Sequence, residues 1–334
     1  MATSDQQKLR VLVDTAEERQ YLENPIYALL NEILMGFSQT LEAGPGYNVM
    51  HPYPQPRLVP HPAAYVVSLA EIKSATPDFS LARSCPNEEG NVMAILIEVK
   101  RLCCRDRLDN DFPCDPSAPS ARSIPWTDKV ESAREAGVIF SENITQIMLQ
   151  AWCGFACSKQ EKIYHIFVSG IYFWLLEFNR PKGLRPFTLR YPSDFKFLSI
   201  YKRLMPPTSR PKVLFAAQCI FDRPEDPRLE FSAAWLKALQ MTCEFAQVTQ
   251  DANAGIFSFR DVQFDLAAYH SKKKRDQADT AISNWYKKVS DHADCLDESH
   301  TETEDSESER MGPNYESDSD EDSLDEISDD EVVG

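Results

Sequence analysis

The chain has little glycine and no long apolar run. Only 11 of its 334 residues are Gly, and none forms the glycine-rich loop that cradles nucleotide phosphates, so a nucleotide-driven motor is not expected. No run of about 18 apolar residues is present, and we therefore expect no membrane-spanning helix and no membrane partner. The first residues, Met1 to Lys8, also lack the apolar region of a secretory signal.

Cysteine and histidine are present without the spacing that chemistry would need. The nine Cys show no two-plus-two zinc pattern, which favours reduced thiols in the cytoplasm or nucleus. The six His do not form a dense cluster. There is also no nucleophile elbow or cofactor loop, so an enzyme acting on small molecules is the less expected class.

Negative charge is concentrated at one end of the chain. The whole sequence has a formal net charge of −17, and residues 291–334 hold 19 Asp and Glu against the single Arg310. A segment of this composition cannot bury enough apolar surface to offset the entropy of ordering, so it is predicted to be disordered. Two interpretations stay open: a solubilising extension, or a contact surface for histones and other basic proteins.

Three charged residues surround a strongly apolar segment. The run 92–97 (Val-Met-Ala-Ile-Leu-Ile) predicts a strand buried on both faces, and it leads directly into Glu98 and Lys100. Strand side chains repeat every two residues, so Glu98 and Lys100 share a face. Upstream, Pro77 precedes Asp78, and the turn-like linker 84–90 predicts a hairpin that would bring Asp78 beside Glu98. Charges at such a strand end are either solvated at the sheet edge or functional.

Pro-Asp on one strand followed by acidic-x-Lys on the next resembles the PD-(D/E)XK nuclease superfamily, and more loosely its uncharacterised fungal proteins. The resemblance covers roughly residues 20–180. It implies an α/β fold with a restriction-endonuclease-like core, in which helices flank a central mixed sheet. It also implies hydrolysis of nucleic-acid phosphodiester bonds with Mg²⁺ or Mn²⁺. The implied metal ligands are Asp78, Glu98 and the carbonyl of Val99, and the implied catalytic residues are Asp78, Glu98, Lys100, Gln146, Gln150 and Glu32.

The helical members of this set also have simpler explanations. Gln146 and Gln150 are one turn apart on a predicted helix near 142–158, where an amide is often a rim residue or bonds along the helix face. Glu32 lies in an amphipathic helix predicted near 25–42, where a glutamate is usually solvated.

The sequence predicts four regions. They are a polar lead-in at 1–24 with a helical stretch near 15–21, a nuclease-like core at 25–184, a mainly helical extension at 185–290, and a disordered acidic tail at 291–334. Beyond the helices named above, the predicted elements are a Pro-rich loop at 52–57, strands near 63–69, 77–82 and 92–100, a long excursion at 105–126, a hairpin near 163–178, a strand near 212–219, and helices near 232–240 and 278–286.

Two basic regions bear on partners and location. Residues 271–275 (Ser-Lys-Lys-Lys-Arg) are either a nuclear-import signal, which we favour, or the solvated face of a helix. A second region, 180–203, mixes basic and aromatic residues in a way that suits nucleic-acid contact but is also typical of ordinary amphipathic elements. Nucleic acid is thus the expected partner. Two alternatives remain: an inactive nuclease-like binding module, and a chromatin or histone-interaction protein acting through its tail.

Overall fold

Helices and strands follow one another in groups along the described parts of the chain. The computed structural model describes residues 3–20, 22–42, 49–56, 76–84, 92–102, 126, 128–158, 160–182, 209–259, 262 and 272–298. The helices are α1 (Ser4–Glu18), α2 (Asn24–Gln39), α3 (Lys129–Glu142), α4 (Ile144–Cys157), α5 (Ala233–Ala246) and α6 (Lys272–Glu298). The strands are β1 (Leu41–Glu42), β2 (Val49–Pro54), β3 (Phe79–Ser84), β4 (Val92–Lys100), β5 (Lys162–Ser169), β6 (Tyr172–Asn179), β7 (Lys212–Cys219) and β8 (Thr249–Gln250). None of the helices in these ranges is both long and apolar enough to cross a bilayer.

A six-stranded mixed sheet forms the centre. Its strand order is β2-β3-β4-β5-β6-β7, and neighbours are antiparallel except for the parallel pair β4 and β5. Phe140 of α3 packs on Phe167 and Trp174, on the face that also carries Glu98. Trp235 of α5 packs on Phe173, on the opposite face. The prediction of a mixed sheet flanked by helices is confirmed.

The complete burial of the middle of the central strand β4 explains why its sequence is apolar there. From Ala94 to Ile97 every residue of β4 is fully buried, because helices cover both faces of the sheet and β3 and β5 cover both edges. The predicted bounds of β4 and β7 match those observed. The linker after Ser84 does join two adjacent antiparallel strands, β3 and β4, as the hairpin prediction required.

The prediction of a Pro-rich loop at 52–57 is wrong over its first residues. Pro52 and Pro54 belong to β2, which among the described strands of the sheet pairs with β3 alone, at the edge. Proline has no N–H to donate, and an edge strand has one side that needs no partner, so proline is tolerated there. The predicted strand near 63–69, nearly all of the excursion at 105–126, and residues 299–334 of the acidic tail lie outside the described residues.

The predicted boundary at residue 185 lies outside the described residues. The structure divides into two compact units, Met1–Asp294 and Cys295–Gly334, so the described residues on both sides of that boundary belong to one unit. Within it, β7 is the sixth strand of the main sheet and β8 pairs with β1. Of the second unit, only residues 295–298, the last of α6, are described.

One helix is longer than the sequence predicted, and another was not predicted. The lead-in is helical from Ser4, where Thr3 and Gln6 form a capping box, whereas only 15–21 was predicted. Asp128 accepts from the Glu131 amide and starts α3, a helix the sequence did not suggest.

A pair of helical glycines tests the packing of α2. A Cβ built on Gly36 would stand 2.8 Å from the Phe257 ring, whereas a Cβ on Gly137 meets nothing within 4 Å. Gly36→Ala is therefore expected to lower the free energy of unfolding by about 1–3 kcal/mol through overpacking. Gly137→Ala should raise it by about 0.5–1 kcal/mol, because alanine is the better helix former. Urea titration of both variants measures the difference, and equal shifts would show that Phe257 does not pack on α2.

Candidate functional site

The ends of β3 and β4 bring two carboxylates onto one face of the sheet. Phe79 pairs with Ile97, so Asp78 stands opposite Glu98, and opposite residues of antiparallel strands share a face. Continuing the register would place Pro77 against Val99, but proline has no N–H and the ladder ends there. In the Pro-Asp dipeptide, Pro77 therefore ends the strand pairing and Asp78 places its carboxylate opposite Glu98.

Asp78 is held at both of its oxygens. Its Oδ2 accepts from the Val99 backbone N–H at 2.7 Å, and its Oδ1 accepts from the Tyr27 hydroxyl at 2.8 Å. The N–H and C=O of one strand residue point to the same side. Since the Lys100 carbonyl accepts from Gly170 on the β5 side, the Val99 carbonyl points to the opposite side, toward Asp78.

Glu98 is surrounded by donors from α4 and from its own strand. Its side chain is only 1 % exposed. Gln146 donates to Oε1 and Gln150 to Oε2, each at 2.5 Å, and Lys100 donates to Oε1. Lys100, whose side chain is 20 % exposed, connects the buried carboxylate to the surface. The structure thus brings five predicted residues into one cluster, which we call the Glu98 cluster: Asp78, Glu98, Lys100, Gln146 and Gln150.

Burial dominates the electrostatics of the cluster. Desolvation, reinforced by the Asp78 charge, raises the pKa of Glu98 to about 7 even though Lys100 and Gln150 oppose the rise. Desolvation also raises the pKa of Asp78, against the Val99 and Tyr27 hydrogen bonds. Desolvation lowers the pKa of Lys100, but the charge and hydrogen bond of Glu98 outweigh it and leave that pKa above its usual value. The ionised form of each carboxylate therefore carries a desolvation cost that a bound cation would relieve.

Sequence reasoning missed two residues at the start of α2 that reach the cluster, Tyr27 and the N-cap residue Glu23. The Tyr27 hydroxyl lies 3.1 Å from Glu23 Oε2 as well as 2.8 Å from Asp78 Oδ1. Burial first, and then the two carboxylates, raise the pKa of Tyr27 far above its ordinary value. The available signal was the i, i+4 spacing of Glu23 and Tyr27 around Pro25, which marks the start of the helix.

Glu32, the predicted helix glutamate, is not brought to the cluster. Its Oε2 pairs with Lys8 of α1 at 2.6 Å, and a third of its side chain is exposed. Glu32 follows Glu23 by nine residues, or about two and a half turns at roughly 3.6 residues per turn, so the two point to opposite sides of α2. Glu23, the N-cap residue of α2, is the glutamate linked to Asp78 through Tyr27.

His165 is the third residue that the sequence did not single out. It is fully buried on β5, beside Leu96 of β4, and its Nε2 lies 2.6 Å from Gln150 Oε1. A single polar residue within the apolar run 163–168 was the available signal, but only the parallel register of β5 on β4 places it under α4.

The oxygen atoms at the strand ends suit a hard cation. Two carboxylates and the Val99 carbonyl match the ligand preference of Mg²⁺, which usually completes its shell with waters and substrate phosphate. In the part of the chain that the structure describes, no group of three or more His, Cys, Asp or Glu side chains is arranged around a metal position. A depression of about 270 Å³ between α5 and β8, lined by Gln240, Cys243, Glu244, Val248, Thr249, Gln250 and Phe259, contains no residue of the cluster.

The described parts of the two basic regions have structural contacts. Arg180 donates to the carbonyls of Phe155, Ser158 and Gln160, and so caps the end of α4. Lys272 to Arg275 form the first turn of α6, as the helical interpretation requires, and Lys274 donates to the Ala217 carbonyl. The import signal stays a prediction. The rest of the second region, 183–203, lies outside the described residues.

The chain was compared with family models, curated proteins and solved structures. No family model matches the chain, and no match was found among curated proteins or solved structures.

Proposed function

We propose that the Glu98 cluster is the centre of a metal-dependent nuclease-like protein that hydrolyses phosphodiester bonds of nucleic acid. The observation that carries the proposal is Glu98 itself. It is an almost fully buried carboxylate at the end of an apolar strand, with Asp78 opposite it and Lys100 beside it on one face. Burying a carboxylate is costly even when it is hydrogen-bonded, and a packed domain has no need for two of them at one strand end.

Each residue has a role that follows from its contacts. Asp78, Glu98 and the Val99 carbonyl would hold Mg²⁺ or Mn²⁺, which when bound would polarise a phosphoryl oxygen and activate water. Lys100, partly exposed beside Glu98, supplies positive charge to the non-bridging oxygens of a phosphate. Gln146 and Gln150 orient the Glu98 carboxylate from α4, while Tyr27 and the Val99 amide orient Asp78.

One observation favours a second candidate, an inactive nuclease-like binding module. Every carboxylate oxygen of Asp78 and Glu98 already accepts a hydrogen bond from the protein. Such a network is satisfied without a cation, and a satisfied polar network also stabilises a fold. The third possibility is a histone-binding protein acting through residues 291–334, most of which (299–334) lie outside the described part of the chain.

Calorimetric titration with MgCl₂ and MnCl₂ distinguishes the first two candidates. Full-length wild type is compared with Asp78→Ala/Glu98→Ala, because both carry the same acidic tail and the difference isolates the cluster. Glu131→Gln, which removes an exposed carboxylate on α3, is the matched control. We expect one or two sites in wild type and in the control, and their loss in the double variant. Identical isotherms for all three proteins would favour the binding module.

Deletion of residues 291–334 separates the tail hypothesis from both. If the tail carries the function, binding to histones disappears on deletion. Cleavage that depends on the Glu98 cluster should survive the deletion or increase, because the acidic segment no longer competes with nucleic acid.

A further inference from the structure

Three buried side chains form a continuous chain of contacts that ends at Glu98. The Nε2 atom of His165 lies 2.6 Å from Gln150 Oε1, and Gln150 Nε2 lies 2.5 Å from Glu98 Oε2. His165 and Gln150 are fully buried, and Glu98 is 1 % exposed. These three side chains have almost no exposed surface, so the orientation of each is determined mainly by its protein neighbours.

The hydrogen bonds that link His165, Gln150 and Glu98 can run in either of two donor-to-acceptor directions. The orientation of the Gln150 amide distinguishes the two. If its NH₂ donates to Glu98, its carbonyl must accept, and His165 must carry its proton on Nε2. If the amide is reversed, Glu98 must be protonated to donate to the carbonyl. His165 Nε2 must then accept from the NH₂, which leaves the ring proton on Nδ1.

The surroundings of His165 favour the first direction. Among the described residues, Nδ1 has no hydrogen-bond partner. A buried N–H without an acceptor is rare in folded proteins, and an unpartnered acceptor is less so. Nδ1 is therefore better accommodated as a lone pair than as a donor. Burial also lowers the pKa of His165 to about 3, so that the ring is neutral and has a single proton to place.

We propose that His165 is a positioning residue: by donating from Nε2 to Gln150, it holds the amide NH₂ toward Glu98 and keeps Glu98 an acceptor. The proposal rests on the proposed function, since an acceptor carboxylate is the form that offers lone pairs to Mg²⁺. Gln146 and Lys100 also donate to Glu98, so these two contacts likewise require Glu98 to be an acceptor. His165 touches neither substrate nor metal and acts only through Gln150.

The first test is the tautomer of His165 in the metal-free, full-length protein. Long-range ¹H–¹⁵N correlation spectra distinguish Nε2–H from Nδ1–H in a neutral imidazole, and His165→Phe identifies the signal. We expect the Nε2–H tautomer at neutral pH. The Nδ1–H tautomer would overturn the proposal, because the Gln150 amide would then have to be reversed. This readout requires neither metal nor activity, so it stands even if wild type binds no Mg²⁺ and the proposed function fails.

The second test compares two substitutions that differ in their ability to donate. His165→Phe retains a planar ring without a donor, whereas His165→Gln retains an N–H group that can reach Gln150. We expect His165→Phe to weaken Mg²⁺ binding in calorimetry by about tenfold, and His165→Gln to recover most of that loss. Thermal unfolding of both variants is recorded in parallel. Equal Mg²⁺ affinities of the two variants would contradict the proposal, and if either fails to fold, the tautomer decides.

Discussion

Asp78→Asn and Lys100→Met are each expected to lower the rate of Mg²⁺-dependent phosphodiester cleavage by about a hundredfold or more. Asparagine in place of Asp78 would keep the shape of the side chain and one acceptor oxygen, for either the Tyr27 hydroxyl or the Val99 N–H, but it removes the charge that would hold a cation. Methionine in place of Lys100 would keep the long stem while removing the ammonium group beside Glu98. The losses therefore report charge rather than packing.

The measurement uses labelled single- and double-stranded DNA and RNA with Mg²⁺ or Mn²⁺. Glu131→Gln removes an exposed carboxylate and should cleave at the wild-type rate. Unfolding curves for each variant verify that the fold is retained. Cleavage at the wild-type rate by both Asp78→Asn and Lys100→Met would contradict the nuclease proposal. Retained binding of nucleic acid without cleavage in any protein would instead support the inactive module.

The second large effect is a fall in stability with rising pH that depends on Glu98. Its pKa in the folded protein is raised from 4.5 to about 7, so between these values the folded state binds more protons than the unfolded state. The free energy of unfolding therefore decreases as pH rises through this window and is level above it. A shift of this size corresponds to roughly 3 kcal/mol in total.

The difference in unfolding free energy between wild type and a variant without the Glu98 carboxyl group separates this contribution from those of other carboxylates. Glu98→Gln should lack the decrease between pH 4.5 and about 7, so its urea unfolding free energy, plotted against pH, should diverge from that of wild type across the window. Glu131→Gln should follow wild type across this window, because the hydrogen bond from Arg134 lowers the pKa of Glu131 and its titration lies below the window. Parallel curves for wild type and Glu98→Gln would show that Glu98 titrates normally. Mg²⁺ should stabilise wild type more above about pH 7 than below it, because protons and the cation compete for Glu98.

Most of the central sheet near the cluster follows from local sequence. The apolar run that ends at Glu98 predicts β4 at its observed bounds, and the short linker after Ser84 leaves a hairpin as the simplest way to pair β3 with it. The spacing of Gln146 and Gln150 predicts a shared helix face, and both do reach Glu98. These features depend on residues close together in the chain, where periodicity and turn chemistry decide the outcome.

Other features involve contacts between distant segments, and local pattern did not reveal them. The assignment of 185–290 to a separate extension missed that β7 returns to the sheet beside β6. The helix glutamate was predicted as Glu32, yet Glu23 is the one near Asp78, because Tyr27 in the first turn of α2 contacts Phe79 and bridges Glu23 and Asp78. Amphipathicity identifies the buried side of a helix but not how far the helix slides along its neighbours.

The sequence by itself determined the composition of the cluster: Pro-Asp before one strand, Glu-x-Lys at the end of the next, and two glutamines one helical turn apart. It also determined where the negative charge of the chain resides. Only the tertiary structure decided that Tyr27 and Glu23 approach Asp78, and that His165 lies beneath Gln150. The physical reason is that strand periodicity fixes which face a residue occupies, whereas register and helix docking depend on packing summed over the whole core.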